Sequence, residues 1–419
     1  MKSLMRKPMQ VKEAVQLVVE HSYQLETEVV KLKDAYGRIL REPIIAKHDV
    51  PPFDRSPYDG FAIRAEDSVG ASGENRLPFQ VIEEIGAGHV ASRGIEKGEA
   101  VRIMTGAPIP ENADAVVMLE QTTENANGFT LRKPFATGEN ISFRGEDARA
   151  GEVLIGEGAV IHPGTIALLA TFGYAEVKVA KKPVVGILAT GTELLEVDEP
   201  LAPGKIRNSN GPMIAAQLER MGISYKSYGM LCDDLEACLN TVEMALAETD
   251  ILITTGGVSV GDYDYLPAIY ERLGTKVLFN KVAMRPGSVT TVAVLGQQLL
   301  FGLSGNPSAC FTGFELFTRP ALLKMMGAHN LYMPQMNAIL GEDFLKPNPF
   351  TRFIRAVWEM TDEGMIATPA GFNKSSAVSS IARGNCMIVL PSGTRGFQAG
   401  MPVDILLLGS EEGADQWRI

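Results

Sequence analysis

The stretch Ile251-Leu252-Ile253-Thr254-Thr255-Gly256-Gly257-Val258-Ser259-Val260-Gly261-Asp262-Tyr263-Asp264-Tyr265 runs from apolar residues straight into glycines and small hydroxyls. A short apolar run bounded by turn residues reads as a buried strand. The glycines after it leave backbone N–H groups free to face an anion at the strand's carboxyl end. Asp262 and Asp264 close the loop. They set hard oxygen ligands beside anion-binding amides, a pairing suited to phosphates carried with a divalent cation. Further on, Gly302-Leu303-Ser304-Gly305-Asn306-Pro307 answers with a second glycine turn. A tight turn with solvated carboxylates accounts for one such loop, but two after two apolar runs exceed what turns need.

Outward from these loops, residues 181–330 alternate strand and helix. Strands are expected at 184–189, 226–230 and 251–255, and helices at 211–221, 234–248 and 265–273. That alternation predicts a doubly wound parallel α/β domain with ligands at the carboxyl ends of its strands. Upstream, Val11, Ala14, Val15 and Val18 fall at helical spacing within residues 8–20. Residues 51–140 are short β runs cut by Gly, Asn and Pro, which predicts a small β-rich domain. Residues 1–50 and 141–180, the latter with a helix over 163–172, make a mixed N-terminal or linker domain. The last segment, 331–419, has short strands and many turns and reads as a β barrel or sandwich.

The chain's 419 residues exceed one ordinary core, so several domains are expected. Hydrophobic content of 45% with 21% charged residues is that of a soluble globular protein. No apolar run is long enough to cross a bilayer, and Met1-Lys2-Ser3-Leu4-Met5-Arg6-Lys7 lacks a signal peptide's apolar segment. The expectation is a cytoplasmic protein without membrane partners. A net charge of −11 argues against a general nucleic-acid binder. The four cysteines (Cys232, Cys238, Cys310, Cys386) and five histidines show no metal-ligand spacing, which disfavours zinc or non-haem iron.

Several segments could carry chemistry. Asp54-Arg55-Ser56-Pro57-Tyr58-Asp59-Gly60 packs acids, a base and a hydroxyl between prolines and a glycine, and Arg144-Gly145-Glu146-Asp147 is a second charged turn. Each is equally a capped turn. In the α/β region, Thr190, Gly191 and Thr192 offer donors where the first strand ends, and Glu193 adds an acceptor. Ser209 and Asn210 suit a helix N-cap, although the polar cluster beside Glu193 is more than a cap needs. Asp234 reads as the cap of the next helix, leaving Asp233 to reach the cleft. Lys281 and Arg285 flank the Pro286-Gly287 turn and suit a phosphate or oxyanion, one as a point charge and the other as a bidentate fork.

Taken together, PPFDRSPYDGFA, RIMTGAPIPENADAVV, RGED, ATGTEL, TTGGVSVGDYDY, MRPGS, GLSGNPSAC and GNCMIVLPSG resemble the molybdopterin molybdenumtransferase family, related to the E domain of gephyrin. They occur in order from residue 51 to 393. The resemblance implies a central molybdopterin-binding α/β domain, an N-terminal mixed domain with the β-rich domain inserted, and a C-terminal barrel-like domain. It implies insertion of molybdate into adenylyl-molybdopterin with release of AMP, with Mg²⁺ as cofactor. It also implies a homodimer and a separate molybdopterin adenylyltransferase that supplies the substrate. Asp59 and Asp147 would then approach the partner subunit's cleft, with Glu193, Asp233 and Asp264 in the α/β cleft as catalytic acids and metal ligands. Substrate contacts would come from Thr190, Gly191, Ser209, Asn210, Gly256, Gly257, Ser259, Gly305, Asn306 and Pro307, with Lys281 and Arg285 on the anion and Ser375 from the C-terminal domain. Many relatives read lysine-Pro-Gly-lysine where this chain has Arg285-Pro286-Gly287-Ser288, so one cation changes type and a second is missing. A gephyrin-like scaffold and a molybdopterin adenylyltransferase are the alternative readings. Retention of the five acids favours the transferase over the scaffold, and the segments outside the α/β domain favour it over the adenylyltransferase.

Overall fold

The computed structural model describes residues 7–231, 234–257 and 265–409. The chain divides into two compact units. One takes in the described residues of Met1–Arg41, Gly158–His162 and Val177–Ile419, the other Glu42–Glu157 and Pro163–Glu176.

The centre of the first unit is a six-stranded sheet of β1 (Val185–Thr190), β2 (Tyr225–Leu231), β3 (Ile251–Thr255), β4 (Lys276–Phe279), β5 (Thr291–Leu295) and β6 (Gln298–Leu303). Their order is β2-β1-β3-β6-β5-β4. β1 lies parallel to β2 and β3, and β3 parallel to β6. The β3 residues are buried throughout, because helices cover both faces and a parallel sheet must bury both. Alternate residues feed two cores. Ile187, Ile253 and Phe301 pack with Ile214 and Leu218 of α2 (Asn210–Arg220) on one side. On the other, Leu188, Leu252 and Leu300 pack with Cys238, Val242 and Ala245 of α3 (Leu235–Glu248) and Ile269 of α4 (Leu266–Arg272). Each fully buried leucine or isoleucine contributes about 1.5–3 kcal/mol. Strand β5 departs from the parallel pattern by running against both β4 and β6. The reason is local: Leu295 pairs with Gln298 across a two-residue turn whose Gly296 has φ +60°, and a loop that short forces an antiparallel hairpin.

The first helix of the unit, α1 (Val11–Glu20), buries Ala14 and Val18 in the cluster that holds Phe317, Leu322 and Met325. Just ahead of it, Met9 exchanges backbone hydrogen bonds with Lys281 and Ala283. Residues 335–407 add β7 (Gln335–Leu340), β8 (Thr351–Thr361), β9 (Gly364–Pro369), β10 (Cys386–Leu390) and β11 (Pro402–Leu407). Pairings β8–β9–β7–β11–β10 return to β8 and close a five-stranded barrel around Ile354, Ala367, Ile388 and Ile405. The two-residue strand Met284–Arg285 joins its outside, parallel to β8.

The second unit holds its own six-stranded sheet, with Gly60–Ile63 between Glu99–Ile103 and Ala115–Met118. Phe61, Phe79 and Phe129 stack in its core at centroid distances of 4.1 and 5.3 Å.

Asp234 caps α3, its carboxylate accepting from the Ala237 N–H at 2.7 Å. Asp234→Ala should lower stability by about 1 kcal/mol, read as a Tm lower by roughly 2–4 °C, with turnover retained. Lost turnover at unchanged Tm would move Asp234 from the cap into the reaction.

Candidate active site

In the first unit the chain passes from β1 to β2 on one side of the sheet and then to β3 on the other. The crevice at the carboxyl ends of β1 and β3 is therefore the topological switch point, where open α/β sheets bind ligands. The backbone there is unusually close. Gly256 and Gly257 take φ +84° and +60°. A Cβ on Gly256 would stand 2.5 Å from the Thr190 carbonyl oxygen, and one on Gly257 2.7 Å from Thr190 Oγ1. Only glycine lets the two strand ends meet in this way. Thr190 Oγ1 donates to the Thr255 carbonyl at 3.2 Å, and the Gly256 N–H to the Leu303 carbonyl at 3.0 Å. Gly191 has φ +142°, and Glu193 folds its carboxylate back over that glycine's α-carbon.

Asn210 enters the same region from the start of α2. Its side-chain N–H donates to the Gly305 carbonyl at 2.9 Å, while its Oδ1 is buried with no hydrogen-bond partner. The expected cap is displaced toward the N-terminus, from Ser209 or Asn210 to Asn208: Asn208 accepts from the Gly211 N–H at 3.1 Å, and Ser209 makes no side-chain cap. Asn210 is thereby released to bind the glycine turn. An orphaned buried acceptor costs about 1–3 kcal/mol, which a bound donor would offset.

The turn Ser304-Gly305-Asn306 also borders a cavity of about 510 Å³. Arg285, Ser288, Ser304, Asn306 and Ser375 line it, together with four cations that the sequence reading missed: Lys346, Arg352, Arg355 and Lys374. Lys281 is not among the lining residues. Arg355 is 1% exposed. Its guanidinium donates to Ser380 Oγ at 3.2–3.3 Å and to the Lys374 carbonyl at 3.2 Å. Among the described residues no carboxylate pairs with it, and burial pulls its pKa down to about 10. It is still charged at neutral pH. A buried, acid-free guanidinium is costly, by several kcal/mol, a cost that an anion beside it would offset. A charged residue inside the run Phe353-Ile354-Arg355-Ala356-Val357 was the available signal, since arginine is almost never fully buried without a partner.

The described acids are arranged differently. Glu193 is exposed at the crevice, and among the described residues no three His, Cys, Asp or Glu side chains gather to hold a metal. Asp233, Ser259 and Asp264 lie outside the described residues. Asp59 and Asp147 belong to the second unit and are exposed. Asp59 accepts from the Thr105 N–H at 2.7 Å and its hydroxyl at 2.8 Å, which holds its pKa below the ordinary carboxylate range. The stabilising tie is thus complete above that range and is lost only as pH falls through the lowered folded-state value. The Asp147 N–H is tied to the Val50 carbonyl at 3.0 Å. Burial raises the thiols of Cys310 and Cys386, which takes both out of nucleophilic chemistry.

Comparison with known proteins places this geometry. Family models match along the chain: the MoeA N-terminal region (domain I and II) at residues 9–173, a probable molybdopterin binding domain at 186–324, and the MoeA C-terminal region (domain IV) at 337–408. The chain is 56% identical over 411 residues to the molybdopterin molybdenumtransferase of Staphylococcus aureus (strain COL), covering 98% of each. It is 55% identical over 405 residues to that of Staphylococcus epidermidis (strain ATCC 12228 / FDA PCI 1200), covering 97% of each. The crystal structure of the molybdopterin biosynthesis moeA protein from Pyrococcus horikoshii OT3 matches with a TM-score of 0.84 at 34% identity, over 96% of this chain and 100% of that one. These matches make the chain, with its glycine-lined sheet and closed barrel, an enzyme of molybdenum cofactor biosynthesis. Within that class, the chain belongs to the molybdopterin molybdenumtransferase family, and it is a transferase.

Gly256→Ala should cost on the order of 1–3 kcal/mol, because the new methyl meets the Thr190 backbone at a φ of +84°. A thermal melt checks it. An unchanged Tm would show that the two strand ends do not need their close approach.

Proposed function

We propose that the chain inserts molybdate into adenylyl-molybdopterin and releases AMP, with the cationic cavity holding the oxyanion and the crevice at β1 and β3 holding the pterin nucleotide. The observation that carries this reading is Arg355, buried against the cavity with no acid beside it among the described residues. Fixed cations facing a site of anionic charge accelerate phosphoryl and oxyanion chemistry without covalent work by the protein. Here Arg355 and Arg285 neutralise the oxyanion, while Ser375, Ser304 and Asn306 line the same cavity with hydrogen-bonding groups. At the crevice, Thr190, Gly191, Gly256, Gly257 and Gly305 bring backbone close to the ligand, and Asn210 Oδ1 offers an unused acceptor to a pterin N–H.

Mg²⁺ fits the donors that remain. It takes one or two carboxylates and completes its shell with water and substrate phosphates, and Glu193 supplies one exposed carboxylate at the crevice. Asp233 and Asp264 are proposed as its companions. When bound, the ion would neutralise phosphate charge; the residues above orient the substrate. Asp59 and Asp147 are proposed to act on the same substrate within a homodimer, as the resemblance implies. The enzyme would work in the cytoplasm beside a separate adenylyltransferase. Family models on both sides of the α/β domain favour the transferase over that adenylyltransferase for this chain.

The direct test is AMP release from adenylyl-molybdopterin by the purified protein with Mg²⁺, with and without molybdate. Release that requires molybdate is the expected outcome; molybdate-independent release, or none with either molybdate or tungstate, would overturn the reading. Arg355→Gln should raise the molybdate concentration for half-maximal release roughly 10- to 100-fold, the worth of a charge-assisted contact. Because the wild-type charge is buried without an acid, that variant should fold normally. Asp59→Ala should abolish release while the protein still folds, its melt lowered only by the loss of the exposed Thr105 tie; full release would remove Asp59 from the chemistry.

A further inference from the structure

Arg285 and Arg352 stand opposite each other. The short strand Met284–Arg285 runs parallel to β8 with Arg285 in register with Arg352, and both line the cavity. Like charges directly opposed on neighbouring strands are destabilising, and among the described residues no carboxylate lies within ion-pair distance of either. Among the described residues no acid offsets the repulsion.

Arg352 is also held for a purpose. Its Nε donates to Asn348 Oδ1 at 2.7 Å. Asn348 is 1% exposed and is fixed through its backbone, donating to the Thr394 carbonyl at 2.8 Å and accepting from the Gly393 N–H at 2.7 Å. The guanidinium carbon sits 5.0 Å from the Phe344 ring centroid, a cation–π distance. These contacts use the Nε and one face of the plane, and they leave both Nη groups of a pre-oriented fork for an anion. Burial and the neighbouring Arg285 both disfavour the charged form of Arg352, an effect that a bound anion reverses.

The loop opposite supplies the second half of the argument. Its turn Arg285-Pro286-Gly287-Ser288 brings a single cation to the cavity, because Ser288, which lines the same wall, is neutral. We propose that Arg352 is a substrate-binding residue that clamps a tetrahedral oxyanion together with Arg285, supplying from β8 the cation that the loop lacks at Ser288. The inference rests on the oxyanion reading of this cavity. The shared chemistry is a tetrahedral dianion, which could be molybdate or a phosphate of the pterin substrate.

The test measures equilibrium binding of molybdate alone, binding of inorganic phosphate alone, and the KM for adenylyl-molybdopterin, on wild type, Arg352→Gln, Arg352→Lys and Ser288→Lys/Arg352→Gln. Arg352→Gln should weaken one of these by about tenfold or more, and Arg352→Lys by less. Loss confined to molybdate identifies molybdate as the clamped anion; loss in phosphate binding and KM identifies the substrate phosphate. The double variant should recover most of the lost affinity, because a loop lysine returns the missing charge. A merely structural role for Arg352 predicts no such rescue. Unchanged binding and KM in Arg352→Gln, or failure of Ser288→Lys to restore them, would overturn the proposal while leaving the wild-type reaction intact. Absence of molybdate-dependent AMP release by wild type would instead remove the parent reading.

Discussion

The α/β domain depends on how closely β3 passes β1 at its carboxyl end. Two consecutive glycines in the left-handed region let Gly256 and Gly257 come against the backbone and hydroxyl of Thr190, where a methyl would stand 2.5–2.7 Å from oxygen. The sheet is buried on both faces, so neither strand can shift sideways to relieve a larger residue. The crevice at the switch point follows from that contact. So does the position of Gly305, whose own α-carbon looks onto Gly256 and whose carbonyl holds Asn210. One steric allowance therefore sets three of the loops that face the ligand.

Charge is distributed on the opposite principle. The chain is acidic overall at −11, yet Arg285, Lys346, Arg352, Arg355 and Lys374 converge on one cavity where β8 meets the turn after β6. Packing on the outer face of β8 makes this possible: Arg355 pairs with Met387 on the side away from Ile354 and the barrel core, where Lys374 and Ser380 cover it. Polar support for the arginines comes from neutral groups: Ser380, Asn348 and a backbone carbonyl. Neutral acceptors orient a guanidinium without cancelling its charge, which leaves the field available to an anion.

The parts of the fold that were legible in the sequence are those fixed by local physics. Ile251–Thr255 reads as a buried strand because a parallel strand needs apolar residues on both faces, and α3 was placed to within a residue by its aspartate cap. The reversal of β5 was missed because Gly296-Gln297 is a weak turn signal beside the strong alternation around it. The cap of α2 was misplaced because three residues in a row, Asn208, Ser209 and Asn210, can each cap, and only packing onto Gly305 decides between Asn208 and Asn210. Arg352 and Arg355 escaped notice because an arginine in a strand reads as solvent-facing until segments distant in sequence pack against it, as Asn348 and Phe344 do for one and Lys374 and Ser380 for the other. Lys281 drew attention by its place beside the Pro-Gly turn, but neighbourhood in sequence did not carry it to the cavity wall.

The docking of α1 has a consequence for the order in which the protein can form. Ala14 and Val18 are buried against Phe317, Leu322 and Met325, and Met9 is laced to Lys281 and Ala283. A ribosome makes this helix some three hundred residues before its partners, an interval of roughly 15–60 s at ordinary elongation rates. The unit spanning Glu42–Glu157 and Pro163–Glu176 is complete long before that point. The nascent chain must therefore carry an unsatisfied apolar helix ahead of an already closed domain, with its core finished only when the last third emerges. Vectorial synthesis thus leaves a segment made well before its partners among the last to be secured.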